Sequence, residues 1–378
     1  MVLNELNECI IDCARTEKWK VCIYGLGYLG RKISGRVIDI LHLQIDFYCD
    51  GNKKSVDSFH FPDAIGIYKE RLMEIKESVL VLILVDYPND IEICSELAGN
   101  PCLHTVRLWD IAAMEEVMAD FYGDELYKLY RKLEQSPDKH CEVVNKKLVN
   151  GLTRTAIYTC ITGGYDKLRQ PDVVEESCDY YVISDDPEMG GGIYQHLDIN
   201  AFVPDSSMSA KDKNRYCKMH PHDIFPEYDY TIYLDGSIKV KRPIAHYTQQ
   251  IGGSGLAIHK HKIQNCVYID GIFAEWLGVV DKNEIIEELK RYINDGLPKK
   301  YGLFECGMIV TDLKNRMGQQ LCRQWFEEYQ KGAKRDQFSL IYVLWKMGLT
   351  ANAIGILSPG NNIVTNQDII WDSKGHYI

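Results

Sequence analysis

A short apolar run, Lys20 to Tyr24, passes at once into Gly25-Leu26-Gly27-Tyr28-Leu29-Gly30 and then into an amphipathic run from Arg31 to Leu41. No other stretch limits the fold so narrowly. Glycines at this spacing suit a strand that turns tightly into a helix and lets backbone approach a pyrophosphate at the helix N-terminus. A second run, Ile45 to Cys49, ends at Asp50, about twenty residues on, where an acid can take a ribose hydroxyl. Val79 to Val85 is aliphatic throughout, as in a strand buried on both sheet faces. Asp90 to Ala98 reads as a helix and His104 to Leu108 as a last strand. This alternation predicts a parallel, doubly wound α/β sheet over residues 1–110, with Gly25, Gly27, Gly30 and Asp50 as its nucleotide-binding candidates.

The unit is half of a full dinucleotide fold, and nothing downstream resembles a dehydrogenase catalytic pair. It resembles the small Rossmann-like modules attached to bacterial sugar-modifying and polysaccharide-assembly enzymes, in which the turn either binds a nucleotide or serves packing. An NAD-dependent oxidoreductase is the reading this fingerprint supports alone. From residue 111 the pattern changes. Ala112 to Glu134 has apolar positions at helical spacing, and Gln135 to Asp138 breaks it, so residues 111–152 read as a helical connector to a second domain, 153–378.

The second half restarts with a strand, Thr155 to Thr159, and a glycine-rich turn, Ile161-Thr162-Gly163-Gly164-Tyr165-Asp166. Another strand, Asp179 to Ile183, ends in Ser184-Asp185-Asp186. A helix is expected from Ser209 to His220, and a strand from Tyr230 to Leu234 emerges at Asp235-Gly236-Ser237. An apolar strand near Gly255 to His259 and helices at Lys282 to Asn294, Leu313 to Tyr329 and from Asp336 to Lys346 complete the pattern. Arg215 and Lys218 are three apart and share a helix face. Ligands of open α/β sheets bind where strands end, so these acids and cations are expected to converge. Each also has a plain structural explanation. Asp185 and Asp186 suit a turn, Asp336 suits a first helical turn, and Asp-Gly suits a hairpin.

Their order carries a resemblance. The series Thr159-Cys160-Ile161-Thr162-Gly163-Gly164-Tyr165-Asp166, Ser184-Asp185-Asp186, Arg215-Tyr216-Cys217-Lys218, Tyr233-Leu234-Asp235-Gly236-Ser237 and Arg335-Asp336-Gln337 resembles the glycosyltransferase-like family that plants, with mucilage-related members, share with bacteria. The resemblance implies a GT-A-like nucleotide-sugar transferase domain that moves a sugar from a nucleotide-diphosphate sugar to a glycan or other hydroxyl acceptor, in surface polysaccharide assembly. Under it, Thr159, Thr162, Tyr165 and Asp186 line the nucleoside pocket, and Arg215, Lys218 and Gln337 face the donor diphosphate and sugar. Asp235 would hold a divalent cation, manganese with magnesium as the alternative. Gly236 and Ser237 replace the usual second acid, so the cation would take further ligands from the diphosphate, water, Ser237 or a histidine, with His259 and His261 the candidates and His376 a third. Asp270 stands where the family has Glu. Asp336 is the first candidate for the acid at the reacting carbon and Glu305 the second; inversion and retention both stay open.

A net charge of −11 argues against a nucleic-acid partner, because a phosphate backbone demands clustered Lys and Arg. Thirteen cysteines, scattered and without a CxxC pair, read as small core residues of a reducing compartment. The polar N-terminus does not read as a signal peptide, and no aliphatic run is long enough to span a bilayer. A cytoplasmic protein is expected, peripheral to a membrane at most, and a homo-oligomer is compatible. The competing non-enzyme reading is a carbohydrate- or partner-binding protein with a decayed site.

Overall fold

The computed structural model describes residues 3–136 and 153–371. They form two compact α/β units, one comprising 1–132 with 268–286 and the other the remainder.

The first unit is built on a five-stranded sheet in the order β3-β2-β1-β4-β5, with every neighbouring pair parallel. Its strands are β1 (Lys20–Tyr24), β2 (Phe47–Asp50), β3 (Ile65–Tyr68), β4 (Val79–Ile83) and β5 (Leu103–Arg107). Every residue of β4 is buried, which explains its unbroken aliphatic sequence. The glycine turn follows β1 and opens the helix Tyr28–Ile40. Gly25 has φ +105°, and a Cβ on Gly30 would lie 1.8 Å from the Gly25 carbonyl oxygen, so these two glycines are demanded by packing. Open space surrounds Gly27. Asp50 accepts from Leu26 N at 2.6 Å and from Asn52 N at 2.8 Å, so both of its oxygens brace the turns on either side. The segment 268–286, expected with the second domain, packs here. Phe273 stacks on Trp109 at a centroid distance of 3.5 Å, and Glu275 pairs with Arg36 at 2.8 Å. The described part of the expected helical connector is built from Leu108–Ala112, Glu115–Tyr122 and Asp124–Lys132, three separate helices. Residues 137–152 of the expected connector lie outside the described residues.

The second unit holds a seven-stranded sheet, whose strands are β6 (Thr155–Ile161), β7 (Cys178–Ser184), β8 (Gln195–Asp198), β9 (Tyr230–Leu234), β11 (Leu256–Lys260), β12 (Phe304–Asp312) and β13 (Gly355–Ile356). Between β9 and β11 the chain forms β10 (Ile238–Val240), which pairs outside this sheet with β14 (Ile369–Trp371). The order is β13-β11-β12-β9-β6-β7-β8, and β12 runs against both of its neighbours while the other pairs are parallel. Ile157, Ile161, Val182, Ile232, Leu234 and Val310 pack one face with Ile238 and Tyr247. On the other face Tyr158 meets Phe225 and Tyr233, and its hydroxyl donates to the Cys217 carbonyl at 3.1 Å. The register of β11 on β12 jumps from Ile258↔Ile309 to His259↔Glu305, so residues 306–308 bulge. Bulges recur beside sites because they re-aim side chains.

Among the described residues no helix is long and apolar enough to cross a membrane.

Candidate functional site

The site begins where β9 ends. Asp235 N donates to the carbonyl of Gly307 in the β12 bulge at 2.8 Å, and Ile238 N closes a turn on the Asp235 carbonyl at 2.9 Å. Because β10 pairs with β14 rather than with β9, Asp235-Gly236-Ser237 is no hairpin head. The chain leaves the sheet here, and the acid stands at the departure. A Cβ on Gly236 would lie 2.7 Å from Asp166 Cβ, and Arg169 Nε donates to the Gly236 carbonyl at 3.1 Å. The glycine-rich turn after β6 is therefore packed against the Asp235 turn.

The helix Ala210–Met219 is capped by Ser209, whose side chain accepts from Asp212 N. It is tied to the end of β6 by Asn214 Nδ2 to the Cys160 carbonyl (2.6 Å) and Thr162 Oγ1 to the Ala210 carbonyl (2.8 Å). This anchoring brings Lys218 between two carboxylates. Its Nζ is 2.7 Å from Asp336 Oδ2 and 3.4 Å from Asp235 Oδ1, and its side chain is 1% exposed. Arg215 Nε reaches the same Asp336 oxygen at 3.3 Å. Asp336 opens the helix Asp336–Lys346, and Trp325 Nε1 pins it by donating to its carbonyl at 2.7 Å. Burial pushes the Asp336 carboxyl up, but Lys218 and Arg215 overcome this and hold it well below the usual carboxylate range. Burial opposes the Arg215 charge too, and Asp336 and Asp235 more than offset it. Burial, then Asp235, keeps the Tyr233 phenol protonated far above its ordinary range, so its hydroxyl donates to Asp235 Oδ1 at 2.8 Å.

Glu305 lies at the other edge of the bulge in a different setting. Gln337 Nε2 donates to its Oε2 at 3.3 Å, while His261 Nε2 (3.5 Å) and Lys262 N (3.4 Å) face its Oε1. His261 Nδ1 accepts from Gln264 N at 2.9 Å, which places the ring proton on Nε2, toward Glu305. Asp336 is thus locked to two cations, whereas Glu305 is held by an amide, an imidazole and a backbone N–H. The two acids named from the sequence thus sit in different settings, Asp336 paired with Lys218 and Arg215 and Glu305 hydrogen-bonded to Gln337.

Protein side chains supply few ligands for a divalent cation at Asp235. Among the described residues no group of three or more His, Cys, Asp or Glu side chains could hold a metal. His259 Nε2 accepts from Asn366 Nδ2 at 2.9 Å, an orientation fixed because Asn366 Oδ1 accepts from Tyr247 OH and Asp368 N. Burial holds the His259 imidazole down at about 4, so its proton sits on Nδ1 and its lone pair is already engaged. His261 uses its lone pair on Gln264 N. His376 lies outside the described residues. The charges already in place also oppose a cation. A hard cation about 2.1 Å from Asp235 Oδ1 would stand within about 5.5 Å of the Lys218 ammonium, a repulsion of roughly 6 kcal/mol at an effective dielectric of about 20.

Of the expected nucleoside-pocket residues, Thr159 is buried with no partner for Oγ1 among the described residues, and Tyr165 is 69% exposed. Thr162 is spent on the helix tie. Asp186 accepts from Glu188 N as a turn residue, while its neighbour Asp185 accepts Gly163 N on both oxygens at 3.0 Å and braces the glycine turn. Gln337 links Arg335 to Glu305. Asp270 falls in the first unit. Sequence reasoning missed Tyr233 as the donor to Asp235, and Gly307, whose Cβ would meet Ile363 Cδ1 at 2.7 Å and Asp235 Oδ2 at 3.3 Å. It also missed Lys211, although its spacing to Arg215 and Lys218 signals a shared helix face.

Compared with known proteins, the part of the chain that carries this constellation matches a family model. Residues 204–357 match the TOD1/MUCI70 glycosyltransferase-like domain. That domain contains Arg215, Lys218, Asp235, Glu305, Asp336 and Gln337 and leaves out the glycine-rich turn after β6. No curated protein matches the chain. Among solved structures, the WbbM bifunctional glycosyltransferase in its apo form aligns over 71% of this chain at 13% identity with a TM-score of 0.36. The mannosyltransferase Ktr4p from S. cerevisiae aligns over 60% at 11% identity with a TM-score of 0.22, covering 71% of that protein. The chain spans about half the length of WbbM, 51%.

Proposed function

We propose that the second unit transfers a glycosyl group from a nucleotide-diphosphate sugar to a hydroxyl acceptor. The observation that carries this reading is the buried Lys218, held between Asp235 and Asp336 with Arg215 alongside, in a stretch that matches a glycosyltransferase-like domain. The mixed sheet, with its single antiparallel strand and its charged groups beyond the strand ends, suits a GT-A-like donor site.

In the reaction the bond between the anomeric carbon and the diphosphate oxygen breaks, and its electron pair leaves with the diphosphate. Lys218 and Arg215 stabilise that growing charge; both are preset by Asp336, so little reorganisation accompanies the step. The acceptor oxygen forms the new bond to the anomeric carbon, and its proton passes to Glu305. Tyr165, exposed beside the glycine turn, supplies a face on which the base can stack. A glycan is the acceptor class that fits a surface-polysaccharide role.

Thermal shift with UDP-, GDP- and CMP-linked sugars and with NAD tests the reading. Stabilisation by one of the two diphosphate-linked donors is expected. A response confined to NAD, or none to any sugar nucleotide, would remove it.

A further inference from the structure

We infer that Lys211, Arg215 and Lys218 form one cationic stripe that holds the donor diphosphate without a divalent metal, with Lys211 as a diphosphate contact at its outer end. The inference rests on the transfer reading above and adds to it the means of charge compensation. The three residues stand at i, i+4 and i+7 of the helix Ala210–Met219, so their side chains project from one face. The stripe is graded in burial. Lys218 is buried, Arg215 is partly buried with 23% of its side chain exposed, and Lys211 is exposed at the rim.

The inner end already has the place a bridging cation would take. Lys218 is within ion-pair distance of two carboxylates from different elements, and Asp235 Oδ1 is further occupied by the Tyr233 hydroxyl. The outer end is where positive charge is left over. Lys211 adds to Arg215 and Lys218, and the acids paired with these cations are Asp235 and Asp336, so the stripe carries one cation more than its paired acids. Asp212, next to Lys211 in sequence, is engaged by Lys334 at 3.2 Å. Although Lys211 is exposed as a whole, the packing around its head and then the Arg215 charge lower its ammonium below the ordinary value, as expected where cations accumulate. A diphosphate diester, with one negative charge on each phosphate, would set negative charge against this surplus. Binding it would offset the surplus, whereas a dication at Asp235 would enlarge it.

The test is isothermal titration of the full chain with UDP, GDP, ADP and dTDP, in EDTA and again with manganese. Equal affinity for one of them in both buffers is expected. Lys211→Met should weaken that binding about tenfold without moving the melting temperature, and Lys211→Arg should restore most of it. Binding seen only with manganese would overturn the inference and leave the transfer reading standing. Unchanged binding by Lys211→Met would remove Lys211 from the contact. Failure of all four to bind in either buffer would sink the transfer reading and the inference with it.

Discussion

Replacing Asp336 with Asn tests whether this acid is an anchor. The shape of the side chain is kept and only its charge is lost. Lys218 at 2.7 Å and Arg215 at 3.3 Å lose their shared counter-ion. At an effective dielectric of about 20 these two attractions sum to roughly 11 kcal/mol. Most of that is offset because the variant no longer desolvates a carboxylate. Breaking a buried pair in this way leaves a net loss of about 3–5 kcal/mol. Urea unfolding at pH 7 reads the loss, in the transition that reports the second unit. Since the folded carboxyl titrates below the unfolded one, its stabilisation is complete above the ordinary carboxylate pKa near 4 and lost as pH falls below it. The penalty should therefore shrink in acid. Adding Lys218→Met removes the ammonium that is left with Asp235 alone, so the double variant should be more stable than the sum of the single losses implies. A single variant within about 0.5 kcal/mol of the parent, or a strictly additive double variant, would refute the anchoring role.

Further expectations concern the surroundings of the site. His259 is buried, with its folded pKa down at about 4, so stability should fall by up to about 3 kcal/mol as pH drops from about 6.5 toward 4 and the unfolded histidine takes up a proton. His259→Gln should flatten that part of the pH–stability profile. Gly307→Ala drives a methyl into Ile363 and toward Asp235, and overpacking of this kind should cost about 1–3 kcal/mol in chemical denaturation. Glu288, buried and accepting from Tyr292 OH at 2.6 Å and Ala333 N at 2.7 Å, has its carboxyl pushed up by burial. Its stabilisation is present at low pH and lost as pH rises through the folded pKa, so Glu288→Gln should gain on the parent from acid to neutral pH in denaturation at the two conditions.

Much of the fold is legible where local pattern and burial agree. β1 and β9 match their apolar runs residue for residue, and the all-aliphatic β4 could hardly be anything but a buried strand. β3 and β8 escaped because short strands with partly exposed residues, such as Ile65 at 64% exposure, lack an apolar signature. β12 escaped because Gly307 and the bulge interrupt its alternation. The helix Val267–Trp276 is apolar on most sides, and its place in the first unit depends on partners far away in sequence, Trp109 among them. The same limit governs the site. Asp235, Lys218 and Asp336 could each be read as candidates, but the bond that gives them distinct roles joins positions 118 residues apart. Hydrogen-bond engagement, invisible in a sequence, also separates Glu305 from Asp336 and commits the histidine lone pairs elsewhere.

The central claim, that the second unit transfers sugars with Lys218 and Arg215 facing the diphosphate and Glu305 taking the acceptor proton, is tested most directly by nucleotide release. UDP- and GDP-linked sugars are incubated with a hydroxyl acceptor series, CMP-linked sugars serving as the single-phosphate control, and the parent is compared with Glu305→Gln. The account predicts nucleoside diphosphate release from one donor class, with kcat reduced about 10²–10⁴-fold in the variant while donor affinity stays within a factor of about two. Release at the parental rate by Glu305→Gln would contradict the proton-transfer role. Absence of release from every diphosphate donor would contradict the account as a whole.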